Sequence, residues 1–356
     1  MRVIPDFAPA LRAALAPLGA PRQCALLNYP NHYNVGDHAI WLGTVDFLRS
    51  LNTRIAYTCD LDDYSPLSLA AALDPDDPLL LLGGGSFGDL WPDRQAFHET
   101  IVAAHPHRAI FLLPQSIHFQ NAALERRAAE VFNAHGGVTL FARDRTSYER
   151  MGEQFSGCSV HLAPDMALQL SGWLSSVAPA GDPDPRTLLL ARNDRECFAS
   201  QATALPGALR QDWTPYQRKW RWGRACVPFS LAVARWHRRL WACGISHPSE
   251  FAARSAWFRG LTAHPAGALA DAPGCRLSLD LLWYGCRQLS GHPAVVTDRL
   301  HAHVLAAMLG VPNVLLPNVY PKNRAFFETW MSALPWCRFG TQAVDIPAAL
   351  AAAVAG

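Results

Sequence analysis

A series of short, largely apolar runs, separated by stretches of helical pattern, constrains this chain more than any other feature. The runs fall at residues 24–28, 78–82, 109–114, 138–142, 160–162, 187–192, 294–297 and 313–316. Helical character lies between many of them, as at 37–50, 121–134 and 277–290. Strands that are apolar throughout are buried on both faces, and helices must do the covering. The order βαβα predicts a doubly wound α/β architecture with parallel sheets. The segment SGWLSSVAPAGDPDPR, residues 171–186, is rich in Ser, Gly, Pro and Asp and reads as a linker. The expectation is therefore two doubly wound, Rossmann-like domains facing a cleft, residues 1–172 and 186–356. Ligands of such sheets bind outside the carboxyl ends of the strands.

Composition narrows the classes further. Half of the 356 residues are hydrophobic and 17% are charged, which excludes a disordered or fibrous chain. A net charge of +2 argues against nucleic-acid binding. The nine cysteines are odd in number and form no CxxC pair, which suits a reducing compartment and not a disulfide or zinc framework. The first twenty residues lack a signal-peptide core, and no run of 18 apolar residues occurs. A cytoplasmic protein is expected. Of the 31 basic residues 29 are Arg; the two Lys are Lys219 and Lys322. Codon bias accounts for the imbalance, and under such bias a surviving Lys is a candidate for a chemical role.

Residues 210–259 stand apart, with ten Arg or Lys, two acids and six of the twelve Trp. This mixture suits peripheral contact with the inner membrane face or a glycan platform. A basic insertion packed on the second domain explains it equally well.

Polar residues gather just after the apolar runs. In NYPNHYNVGDHAIWLG, Asn34, Gly36 and Asp37 sit where strand gives way to helix. Asp37 there is an N-cap, a contact for substrate hydroxyls or a base. In LLLLGGGSFGDLW, Gly84, Gly85 and Ser86 let a ligand approach the backbone, in a pattern that is neither a Walker loop nor a dinucleotide fingerprint. Gln115, Arg143 and Asp165 end three further strands, and Arg192 ends a fourth. An Arg at a buried strand's end suits bidentate binding of carboxylate or phosphate. In VVTDRLHAHVL, Asp298 is expected to cap a helix that carries Arg299 and His301 in its first turn. A cation there opposes the helix dipole unless an anion is present. Lys322 follows the next strand. Arg192, Arg299, His301 and Lys322 are expected to converge on one strongly anionic ligand, with no metal required.

With these residues in place, the chain resembles the polysaccharide pyruvyl transferase family. The resemblance rests on NVGD (34–37), GGGSFGD (83–89), PQS (114–116), RD..S (143–147), APD.A (163–167), LLLAR (188–192) followed by NDRE, VVTDRLHA (295–302) and KNRAFFETW (322–330). It runs from about Asn28 to Trp330; the Tyr-Pro before Lys322 departs from the Gly usual in relatives. The resemblance implies a fold similar to GT-B glycosyltransferases. It also implies transfer of a pyruvyl group from phosphoenolpyruvate to a sugar of a bacterial exopolysaccharide repeat unit, free or lipid-linked, giving a pyruvate ketal and phosphate. By motif it places Arg299, Leu300, His301 and Arg192 on phosphoenolpyruvate, with Lys322 beside them. His301 is the expected acid, since imidazole exchanges protons near neutrality. Asp37 is the expected base on the acceptor hydroxyl. Phosphoenolpyruvate is a substrate, and no cofactor is expected.

Two other classes compete. A nucleotide-sugar glycosyltransferase would share the architecture but needs a nucleoside pocket and a D-x-D or ribose clamp. A non-catalytic glycan-binding or membrane-associated scaffold would not need Arg299 and His301 behind a buried strand.

Overall fold

The computed structural model describes residues 2–192, 205–213 and 248–356. Lys219, the NDRE run after LLLAR with its Arg195, and four of the six Trp of the basic segment (Trp220, Trp222, Trp236 and Trp241) lie outside them.

Two parallel sheets organise the described chain. The first contains β1 (Gln23–Leu27), β2 (Arg54–Cys59), β3 (Leu79–Leu81), β4 (Gly84–Gly88), β5 (Ile110–His118), β6 (Val138–Ala142) and β7 (Ser159–Leu162). Its order is β2-β1-β3-β5-β6-β7, with β4 continuing along β5 beyond β3. The second contains β8 (Leu188–Leu190), β9 (Leu209–Gln211), β10 (Val295–Thr297), β11 (Asn313–Leu315) and β12 (Cys337–Phe339), in the order β12-β11-β10-β8-β9. All eight apolar runs are strands. Within the GGGSFG stretch, whose glycines were expected to let a ligand approach the backbone, Gly84–Gly88 forms the strand β4. Gly88 passes so close to His118 that a Cβ would fall 1.8 Å from its carbonyl oxygen.

Alternation along the strands divides the core. Leu80 and Leu82 face a cluster shared with Trp41, Met166, Trp283 and Leu305, whereas Leu79 and Leu81 face the opposite cluster with Phe87, Phe132 and Phe155. The first of these clusters is continuous from Leu11 to Cys337 and takes in residues of both sheets. A smaller one, with Leu189, Val296 and Ile346, covers the far face of the second sheet.

The helix Val35–Ser50 joins the two sheets. It lies against the helices Cys275–Ser290 and Leu300–Met308, with Gly285 leaving room for Val35. The Trp41 indole donates to the Pro273 carbonyl at 3.1 Å, and the Tyr29 hydroxyl to that of Gly274 at 3.1 Å. His38, fully buried, contacts the His32 carbonyl through Nε2 at 2.6 Å and Ser278 Oγ through Nδ1 at 2.8 Å. Nε2 must carry a proton to donate to a carbonyl. Burial lowers the ring's pKa to about 3.

The stretch 171–186 contains one helical turn, Leu174–Val177, with Leu174 buried. Six cysteines are described, and none is in a disulfide. Among the described residues no helix is long and apolar enough to cross a membrane, and no group of three His, Cys, Asp or Glu could hold a metal. Of the tryptophans in the basic segment, Trp213 and Trp257 are described, and both are buried.

Candidate active site

Strand order reverses once in each sheet, between β1 and β3 and between β8 and β10. At such a switch point the connections leave in opposite directions and open a crevice at the carboxyl ends. Both crevices open on one cavity of about 330 Å³. The first sheet lines it with His32, Tyr33, Asn34, Asp37, Gly83, Gly85, Ser86, Trp91, Arg94 and Arg143; the second contributes Arg192, Trp213, Arg299, Leu300, His301 and Lys322.

Ten of the residues picked out by motif therefore meet: Asn34, Asp37, Gly85, Ser86, Arg143, Arg192, Arg299, Leu300, His301 and Lys322. Gly36, Gly84, Gln115 and Asp165 do not line the cavity. Gln115 is buried and ties β5 to the first sheet's turn, donating to the Leu82 carbonyl at 2.9 Å. Gly84 adopts φ +135°, which only glycine takes readily. Gly36 underlies His301, and Asp165 stands behind it.

Local geometry corrects two expectations. Asp37 does not cap its helix: Asn34 does, accepting from the Gly36 amide at 3.1 Å, and Asp37 turns into the cavity from the first turn. Asn34 Nδ2 donates to Asp37 at 3.1 Å, and His32 Nε2 lies 3.3 Å from it. Likewise Asp298 does not cap the helix behind β10. Its carboxylate accepts the Arg192 amide at 2.9 Å, the helix begins at Leu300, and Arg299 occupies the capping position with no side-chain cap. The anion that balances Arg299 comes from β9. Asp212 accepts from Arg299 Nε at 2.5 Å and from Nη2 at 2.9 Å, and the Trp213 ring lies 5.5 Å from the guanidinium. That bidentate pair engages one edge of the fork. Arg299 has five N–H donors, and the other edge carries the remaining ones.

Charge is concentrated around the cavity. Arg94, Arg143, Arg192, Arg299 and Lys322 all reach it, whereas among the described residues Asp37 is the single carboxylate lining it. Arg143 and Lys322 approach from different sheets and meet over Gly85. A Cβ there would lie 3.0 Å from Arg143 Nη2 and 3.3 Å from Lys322 Nζ. Lys322 also donates to the Tyr320 hydroxyl at 2.6 Å. Arg143 is held by Ser116 at 2.9 Å through Nε and by Asp165 at 2.7 Å through Nη1.

Two carboxyls flank His301. Burial alone would raise Asp165, but the charges of His301 and Arg143, with a bond from His301, hold it well below the usual carboxylate range. Burial would also raise Asp37, yet His32, Arg94 and His301 depress it. Both are therefore carboxylates at neutral pH. His32, beside Arg94 at 2.6 Å, is pushed down to about 4, chiefly by burial, and is neutral.

His32, Tyr33, Trp91, Arg94 and Trp213 were not among the residues picked out as site candidates. His32 and Tyr33 lie inside the NYPNHYNVGD stretch, and Trp91 and Arg94 follow directly on GGGSFGD. Their signal was position just beyond a strand end.

Comparison with known proteins places this site in a family. The family model for polysaccharide pyruvyl transferases matches residues 34–222 and 280–318, which include Arg94, Arg143, Arg192 and Arg299 of the cavity but not Lys322. EpsO of Bacillus subtilis (strain 168), a pyruvyl transferase by name, is 30% identical over 89% of both chains. Pyruvyl transferase 1 of Schizosaccharomyces pombe (strain 972 / ATCC 24843) is 28% identical over 87% of this chain and 70% of its own length. The fold is shared with a functionally uncharacterised protein of Klebsiella pneumoniae subsp. pneumoniae NTUH-K2044, with a TM-score of 0.55, 16% identity and coverage of 93% and 98% of the two chains. Enzymatic pyruvyl transfer accordingly replaces both the glycosyltransferase and the scaffold readings, and the chain belongs to the polysaccharide pyruvyl transferase family.

Proposed function

We propose that the enzyme takes its pyruvyl group from phosphoenolpyruvate and closes it as a ketal on a sugar of an exopolysaccharide repeat unit, releasing phosphate. The observation that carries this reading is the meeting of five cations from two sheets around a single cavity, with a histidine between two carboxylates. Phosphoenolpyruvate bears a carboxylate and a phosphate, and a site of this charge suits it. Arg192, Arg299 and Lys322 neutralise it, with Leu300 against it; Arg143 adds a fourth cation across Gly85. The reading calls for no metal or cofactor, because these side chains supply the positive charge.

The steps follow from proton accounting. His301 gives a proton to the methylene carbon, and the adjacent carbon gains cationic character shared with its ester oxygen. A sugar hydroxyl attacks that carbon while Asp37 takes the hydroxyl proton. Phosphate departs with the proton that Asp37 took, and the second hydroxyl attacks and gives its proton to the neutral His301 ring, which closes the ketal and restores both side chains. Acid catalysis of this kind contributes on the order of 10²–10⁴ in rate. In this reading residues 1–172 form the acceptor side and residues 186–356 the phosphoenolpyruvate side of a cleft. The acceptor is a free or lipid-linked oligosaccharide, handled in the cytoplasm. Contact with the inner membrane face, if made, falls to the basic Trp-rich stretch.

The anion site is tested by calorimetry on Arg299→Ala made in an Asp212→Asn background, so that no buried carboxylate loses its partner. Phosphoenolpyruvate affinity is expected to fall by about tenfold or more against Asp212→Asn alone, a loss of at least about 1.4 kcal/mol. Equal affinity would remove Arg299 from the site.

A further inference from the structure

His301 is held from two sides by residues that do not line the cavity. Asp165 is fully buried, and its carboxylate is completely engaged. Its Oδ1 accepts the Ala167 amide at 2.9 Å; its Oδ2 accepts Arg143 Nη1 at 2.7 Å and faces His301 Nε2 at 3.3 Å. A carboxylate has no proton to offer, so the hydrogen between them belongs to Nε2. On the other side the His301 ring lies on Gly36, at the start of the helix Val35–Ser50. A Cβ at position 36 would fall 2.6 Å from both Nδ1 and Cβ of His301, closer than side chains ever pack.

We infer that Asp165 and Gly36 are positioning residues for His301, fixing Nε2–H on Asp165 and leaving Nδ1 as the one nitrogen that carries a proton to and from the substrate. The inference rests on the proposed role of His301 but extends it to a specific atom and to two residues outside the cavity. The proton balance is simple. His301 enters doubly protonated, releases the Nδ1 proton to the methylene carbon and ends that step as the neutral Nε2–H tautomer. Asp165 stays ionised throughout, so no proton passes to it. The arrangement follows the logic by which a buried carboxylate fixes the tautomer of a catalytic histidine, where removing the carboxylate's charge lowers turnover by up to about 10⁴. It also explains why the helix start must be bare. The ring belongs to the second sheet's helix and Asp165 to the first sheet's last strand end, so the Nε2 bond forms only if the ring can lie across residue 36.

The direct test is ¹⁵N NMR of the full chain labelled at histidine, with the His301 signals identified by their disappearance in His301→Gln. At a pH where the ring is neutral, Nε2–H is expected to predominate in the wild type. A predominantly Nδ1–H ring would overturn the inference without any activity measurement. Kinetics supply the second readout. Asp165→Asn should lower kcat by about tenfold or more with KM for phosphoenolpyruvate within about twofold, and should abolish the tautomer preference. Gly36→Ala should lower kcat in the same pattern, because the displaced ring no longer reaches Asp165, and its His301 signals should show no preference for Nε2–H. Wild-type kcat in both variants would overturn it. If the wild-type enzyme consumes no phosphoenolpyruvate with any glycan, the donor assignment fails, whereas the tautomer measurement still decides the clamp.

Discussion

Lys322 is one of two lysines among 31 basic residues, and its surroundings account for its survival. The ammonium is buried beside Tyr320 and meets Arg143 over a glycine. A guanidinium is broader and planar and would press into that space, so the two cations are not interchangeable there. Lys322→Arg is expected to lower kcat/KM for phosphoenolpyruvate by about tenfold or more, although composition alone would rate it the mildest change available. Wild-type kinetics would make Lys322 incidental. At this scale the sequence was most legible where a motif residue follows a buried strand, as with Arg192, Arg299 and His301. Partnerships were not legible. Nothing in the spacing told that Asp212, at the end of a three-residue strand 87 positions before Arg299, would take one edge of its guanidinium.

Among elements, the helix Val35–Ser50 has the widest reach. At its start it brings Asp37 to the cavity and sets Gly36 beneath the His301 ring, and along its length it seals the two sheets together. Trp41 is its anchor, fully buried, edge-on to Tyr29 at 4.8 Å and bonded to Pro273. Trp41→Ala should cost about 3–5 kcal/mol, read as a lower midpoint in urea denaturation, because it opens a cavity and strands the Pro273 carbonyl. A change under about 1 kcal/mol would deny the helix this role. The interior strands were readable because they are apolar on both faces. The strands β2, β9 and β12 were not, since edges are half-exposed or only three residues long. The strand β4 was hidden by its glycines, whose usual meaning is a turn. Trp91 and Arg94 were missed with it, because the path of the chain beyond β4 decides where they point.

For the molecule as a whole, buried histidines set the response to acid. His38 and His98 are fully buried with pKa values lowered to about 3, and His303 to about 4, in each case mainly by burial. Their folded forms are neutral, whereas the unfolded chain takes up protons below about pH 6.5. Stability is therefore complete above that pH and declines as pH falls toward the folded values. The three together should remove about 4 kcal/mol between about pH 7 and 5.5, seen as a falling denaturation midpoint. A flat midpoint over that window would mean the rings are protonated in the fold. The α/β class and parallel order were legible at this scale. The expected cleft did not tell which further side chains, such as His32, Trp91 and Arg94, would meet in one cavity, since that depends on how the helix Val35–Ser50 seats one sheet on the other.

The central claim is that this cavity carries a pyruvyl group from phosphoenolpyruvate to a sugar. The most direct measurement incubates the full chain with phosphoenolpyruvate and a panel of free and lipid-linked oligosaccharides, following phosphate and glycan mass together. The account predicts one phosphate released for each glycan that gains one pyruvate ketal, and loss of both signals in His301→Gln. Phosphate released with no change in glycan mass, or undiminished transfer by His301→Gln, would contradict it.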